Sequence, residues 1–168
     1  SVLSTKAKVF VCNNYSITMA DANFSGVKTI EYADYSSNLL KKSKRPVIII
    51  GNGIRLAKVE KEFEALIKNW KIPVTSSYLG IDIFPNSHKY HIGTLGTKGN
   101  RAANFAVQNS DLVIALGCRM SVPLTGFEYQ TFAREAKVCV VDINKEEHRK
   151  GTIKIDRFMH QDLSLLIP

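Results

Sequence analysis

The chain has 168 residues and a formal net charge of +8, and a length of roughly 100–200 residues is the usual prior for one domain. Apolar residues make up 45% and charged residues 23%, which excludes a disordered chain and gives enough core to fold without a disulfide or metal. Apolar runs such as Val47–Ile50 fall far short of the ~20 residues that span a bilayer.

The first residues lack the basic-then-apolar layout of an export signal, and Cys12, Cys118 and Cys139 are odd in number and form no CxxC. Reduced thiols in a cytoplasmic protein are the expectation, with no metal site. The net charge could attract a polyanion. The densest cationic cluster, Lys41, Lys42, Lys44 and Arg45, falls where a helix from about Tyr35 to Lys42 should end before Pro46. Cations there complement the helix dipole and face solvent. No aromatic residue interleaves them, so neither a nucleic-acid nor a membrane partner is expected.

In chain order, residues 1–33 read as a lead-in segment. Lys8 to Cys12 and Val27 to Ile30 suit short strands, with Asn13, Asn14, Ser16 and Gly26 as turn signals between them. Residues 34–168 are the main domain. Val47–Ile50 is continuously apolar and ends at Gly51-Asn52-Gly53, as a strand covered on both faces does. Leu56, Val59, Phe63, Leu66, Ile67 and Trp70 recur at helical spacing, so one helix is predicted before Pro73. Pro73–Ser76 starts a second strand. Gly93, Gly96 and Gly99 mark a loop, followed by a helix over Arg101–Asn109. Leu112–Leu116 and Val138–Val141 repeat the buried-strand pattern, ending at Gly117 and Asp142. Asn144 should cap a short helix, with Glu147 as its capping-box partner. Ile153–Ile155 suits a last strand and Gln161–Leu166 a last short helix. This alternation predicts an α/β fold with a parallel sheet and right-handed crossovers.

Ligands of such sheets bind beyond the carboxyl ends of the strands, which makes Gly51, Asn52, Gly53, Thr75, Ser76, Gly117, Cys118, Arg119, Asp142, Ile143 and Asn144 the residues of interest. Glycine at a strand tip admits a close phosphate, and the following helix would offer unpaired N–H groups. Arg119 could grip a phosphate in bidentate fashion, and Asp142 could accept hydrogen bonds from a ribose. The full GxGxxG fingerprint is not met: Leu56 stands at its third glycine, and Asp142 is far beyond the ~20-residue spacing. A tight turn at Gly51–Gly53 and a turn-forming Asp142 are equally compatible readings. His88 and His91 read as surface loop residues near Pro85, without a carboxylate or Cys to complete a metal set. His148 falls on a charged helix and His160 near the end. No GxSxG and no paired carboxylates occur, so no independent active site is predicted.

The run GTLGTKGNRAANFAVQNSDLVIALGCRM from Gly93, LTG at Leu124–Gly126, FAREAK at Phe132–Lys137 and VVDINKEE at Val140–Glu147 come in order after RPVIIIGNG at Arg45–Gly53 and IPVTSSYLG at Ile72–Gly80. Together they resemble the middle domain of acetolactate synthase-like thiamine-diphosphate enzymes, over residues 34–168. The resemblance implies a three-layer α/β/α Rossmann-like parallel sheet, of the DHS-like NAD/FAD-binding type. It also implies that thiamine diphosphate and Mg²⁺ are bound by other domains of the same polypeptide, in a homo-oligomeric parent. The whole enzyme would decarboxylate a 2-keto acid and transfer the acyl unit; this fragment should not.

Some members hold FAD or ADP in the middle domain, and the matching contacts are Gly51, Asn52, Gly53, Gly117, Arg119, Asp142 and Ile143, with Thr75 and Asp162. Flavin-containing relatives carry Met-His where this chain has Thr97-Lys98, and Ser121 and Pro123 replace an Asp and an Arg. A free-standing module for NAD, FAD or ADP, of similar fold, is the alternative.

Overall fold

The computed structural model describes residues 8–12, 15–19 and 38–167. Strands β1 (Lys8–Cys12) and β2 (Tyr15–Met19) pair antiparallel, with Lys8 opposite Met19 and Cys12 opposite Tyr15. The first of these was expected and the second was not; the strand predicted at Val27 to Ile30 lies outside the described residues.

Six further strands are β3 (Pro46–Ile50), β4 (Val74–Ser76), β5 (His91–Thr94), β6 (Leu112–Leu116), β7 (Lys137–Asp142) and β8 (Arg157–His160). They form one sheet in the order β5-β4-β3-β6-β7-β8, and every neighbouring pair is parallel. The predicted α/β class and parallel sheet are therefore observed. Side chains alternate between two cores, as the period of two in a strand requires. Ile48, Ile50, Ile114, Leu116 and Val141 pack with Phe63, Ile67 and Trp70 on one face. Val47, Ile49, Val113, Ala115 and Val140 pack with Val107 and Phe132 on the other. Ile48, Ile49 and Ile50 have no exposed surface, and burying each contributes about 1.5–3 kcal/mol.

Three elements depart from the sequence reading. The helix predicted across Leu56–Trp70 is two: α1 (Gly53–Leu56) and α2 (Glu60–Trp70). Lys58 between them is left-handed at φ 59°, which turns Leu56 away from the core and leaves it 70% exposed. The last strand is β8, not Ile153–Ile155. Asp156 fixes its start by exchanging bonds with Val138, donating its N–H to the Val138 carbonyl at 2.9 Å and accepting from the Val138 N–H at 3.0 Å. Ile153 is instead a buried side chain beside the sheet.

The third departure is His91, which opens β5 and is not in a loop. Its sequence HIGT is half-buried throughout and carries no apolar run, so nothing in the sequence marked it as a strand. β5 also bulges: Val74 pairs with His91 but Thr75 with Gly93. Helix α3 (Arg101–Gln108) follows as expected, with Asn100 accepting from the Ala103 N–H at 2.9 Å. Lys41, Lys42, Lys44 and Arg45 are exposed at the end of the helical residues 38–42.

The chain runs outward from β3 through β4 to β5, then returns to β6 on the other side of β3. The sheet's switch point therefore lies between β3 and β6, and there the two strand tips touch backbone to backbone. Gly51 donates to the Leu116 carbonyl and Gly53 to the Gly117 carbonyl, both at 3.0 Å. A Cβ on Gly51 would lie 2.2 Å from the Gly117 oxygen, and one on Gly53 2.5 Å from the Gly117 Cα. Gly117 itself is left-handed at φ 55°, and its Cβ would lie 2.6 Å from the Gly53 Cα.

Gly117→Ala should therefore cost about 3 kcal/mol, from overpacking and backbone strain together. Gly151 has positive φ but nothing within 4 Å of a Cβ, and Gly151→Ala should cost only about 1–2 kcal/mol. Urea unfolding of the two variants checks the order.

A pH effect follows from His91, whose Nε2 is buried without a hydrogen-bond partner among the described residues. Burial, reinforced by His88, holds its pKa below the ordinary 6.5. The unfolded chain then takes up the proton first as pH falls. Stability from this group is present above 6.5 and drains as pH drops through the lowered folded value. His91→Leu should flatten that decline, read as the urea midpoint at a series of pH values.

Candidate functional site

Beyond the carboxyl ends of the strands, at the switch point, lies a cavity of about 1050 Å³, at the upper end of ordinary small-molecule sites. Gly51, Asn52, Gly53, Gly117, Arg119, Asp142, Ile143 and Asp162 all line it. Topology brings them together, since each follows a strand whose end reaches the same edge. Thr75 does not line it. Its side chain is fully buried and its hydroxyl donates to the Gly93 carbonyl at 2.8 Å, tying β4 to β5.

Several N–H groups of the glycine turn are already committed within the fold. Those of Gly51 and Gly53 are spent on β6, and that of Ile54 donates to the Gly51 carbonyl at 3.2 Å. Helix α1 has only four residues, so its dipole is small. Charge recognition therefore falls to side chains: Lys98 and Arg119 on the positive side, Asp142 and Asp162 on the negative.

Arg119 is held by a hydrogen-bonded ion pair with Glu147, whose carboxylate also meets Lys150. The Arg119 hydrogen bond, helped by Lys150, brings the Glu147 carboxyl down to about 2. Asp142 is buried. Its Oδ1 accepts from the Asn144 N–H at 2.8 Å, and its Oδ2 lies 3.7 Å from His148 Nε2. Asn144 caps the turn at Glu147–Arg149 by accepting from the Glu146 and Glu147 N–H groups. Glu147 is not its capping-box partner, because the Glu147 carboxylate is committed to Arg119. Asp162 accepts from the N–H and hydroxyl of Ser164, each at 2.8 Å, so part of its capacity goes to capping its own turn. Cys118 lines the cavity, but burial pushes its thiol to about 11, which keeps it inert.

Several contributors escaped the sequence reading. Gln161 is a buried polar residue on the wall. Asn104 ties the glycine-rich loop to α3, accepting from the Gly96 N–H at 3.2 Å and donating to the Gly96 carbonyl at 3.1 Å. The rim collects five exposed apolar side chains, Leu56, Tyr78, Leu79, Phe127 and Ile143. No helix among the described residues is long and apolar enough to cross a membrane.

The Arg119–Glu147 contact can be tested directly. The side-chain carboxyl signal of Glu147 should stay unchanged in NMR between about pH 7 and about pH 3.5. In Arg119→Gln it should titrate upward toward 4.5, the ordinary glutamate value.

Comparison with known proteins matches residues 36–167 to the family described as thiamine pyrophosphate enzyme, central domain. The chain is 38% identical over 116 residues to a probable acetolactate synthase large subunit of Methanocaldococcus jannaschii, covering 69% of this chain and 20% of that protein. It is 32% identical over 135 residues to the acetolactate synthase isozyme 2 large subunit of Escherichia coli, covering 80% and 24%. A large subunit of Pyropia yezoensis is 33% identical over 146 residues, covering 84% and 25%. The chain thus spans about a quarter or less of the length of these relatives. These matches favour a domain of a larger enzyme over a free-standing nucleotide module. With nearly all of residues 34–168 matched, the chain belongs to the central-domain family of thiamine pyrophosphate enzymes and is similar to acetolactate synthase large subunits.

Proposed function

We propose that this domain serves a thiamine-diphosphate enzyme that decarboxylates a 2-keto acid and transfers the acyl unit to an acceptor. In the same reading, its crevice binds the ADP moiety of a nucleotide, either free or as part of FAD. The observation that supports it most is the cavity at the β3–β6 switch point, where Arg119 after β6 and Asp142 at the end of the neighbouring β7 sit beside the glycine contact. Open parallel sheets hold nucleotides at such points. Arg119 would meet a phosphate and Asp142 a ribose hydroxyl, while Gly51, Asn52, Gly53, Gly117 and Ile143 shape the walls and Asp162 borders them. Thr75 would contribute only by tying β4 to β5. The apolar rim suits a ring system extending beyond the phosphates.

The thiamine cofactor would supply the electron sink of the reaction, but this chain's residues do not fit it. The 168 residues contain no Asp-Gly dipeptide, and no three His, Cys, Asp or Glu side chains among the described residues gather as a metal site. Thiamine diphosphate and Mg²⁺ belong in this reading to other domains of the same polypeptide, within a homo-oligomeric cytoplasmic enzyme. The buried Cys118 and Cys139 accord with a reducing compartment.

The 168-residue chain should show calorimetric binding of ADP or FAD, weakened roughly 10-fold or more by Arg119→Gln. A yellow preparation would select FAD. Supplied with thiamine diphosphate, Mg²⁺ and pyruvate, the same chain should release no CO₂. Absence of heat with ADP, NAD and FAD would overturn the nucleotide reading, and pyruvate decarboxylation would overturn the assignment of catalysis to other domains.

A further inference from the structure

His148 was predicted on a charged helix, and its side chain is only 3% exposed. Its ring stands 4.9 Å from that of Phe158, and its Nε2 is buried without a hydrogen-bond partner among the described residues. That nitrogen faces the Oδ2 of Asp142 at 3.7 Å, just beyond hydrogen-bond reach. Asp142 is otherwise anchored on its far side only, through Oδ1 and the Asn144 N–H. The backbone beside it is fixed from another direction, since His160 Nε2 lies 2.8 Å from the Ile143 carbonyl. Buried polar groups in native proteins rarely lack a partner without a reason.

We infer that His148 is a positioning residue, which sets the Asp142 carboxylate to accept from the hydroxyl pair of a ribose. The inference rests on the nucleotide reading of the crevice. On binding, a shift of well under 1 Å would bring Nε2 and Oδ2 within hydrogen-bond distance. The imidazole would then orient Oδ2 and the peptide N–H Oδ1, with a lone pair on each oxygen left for the ligand. The preference for a ribose over a deoxygenated sugar would depend on this arrangement, whereas phosphate contacts at Arg119 would not.

The test compares ADP with 2′,3′-dideoxy-ADP by calorimetry on the 168-residue chain. The wild type should prefer ADP roughly 10-fold, as expected for hydrogen bonds to a charged group. His148→Phe keeps a ring against Phe158 but removes Nε2. It should lose most of that preference by weakening ADP alone, with dideoxy-ADP affinity unchanged. His148→Gln, whose amide can place a donor near the same point, should recover it. A purely structural role would lower both affinities together and leave the ratio intact, which overturns the inference, as would a wild type without preference. If the wild type binds neither nucleotide, the nucleotide reading itself has failed; if ADP binds and His148→Phe keeps the full ratio, only the role of His148 has. Should His148→Phe not fold, His148→Leu is read for the same ratio.

Discussion

Two peptide segments meeting without side chains between them set the geometry of this domain. The turn after β3 lies against the tip of β6 so closely that Gly51, Gly53 and Gly117 admit no Cβ. Two hydrogen bonds at 3.0 Å close the contact. The contact seals the floor between the central strands at the point where the chain changes direction across the sheet, and the space above it becomes the crevice. It also decides how that crevice can recognise anything. With the glycine N–H groups turned onto carbonyls, discrimination passes to Arg119 and Lys98, which stand on loops, and to Asp142 at the end of β7.

Those loops form a second layer of control. One short turn after β7 reaches both charged anchors through consecutive residues, Glu147 to Arg119 and His148 to Asp142. An arginine that is 68% exposed would otherwise sample many rotamers, and ordering it on ligand binding costs entropy. Pairing with Glu147 meets part of that cost in advance, while leaving other guanidinium donors for an incoming anion.

Much of the sheet was legible because a strand covered on both faces must be apolar throughout, and Val47–Ile50 and Leu112–Leu116 are. Their glycine endings located the crevice, since parallel strands deliver every following loop to one edge. Legibility failed where local pattern and tertiary role part. β5 and β8 lie at the sheet's edges, half in water, and HIGT and RFMH carry no continuous apolar signal. Leu56 has the spacing of a core helix position, but the left-handed Lys58 breaks the helix before that spacing can take effect. Glu147 stands 28 residues from Arg119, a separation that no periodicity announces. Thr75 sits on the right strand, but its hydroxyl is spent on Gly93 of β5, a cross-strand contact that the three residues of β4 do not announce.

The two outer strands carry a consequence for solubility. Exposed sheet edges template the addition of foreign strands, and natural proteins blunt them with shortness, bulges and charge. β5 offers four residues, interrupted by a bulge and by Gly93 at φ 105°, so an intruding strand would find no continuous ladder to copy. β8 offers four residues, with Arg157 exposed at its start and His160 occupied at Ile143 at its end. Both ends of the sheet thus resist growth by edge addition, whatever the apolar rim of the crevice meets.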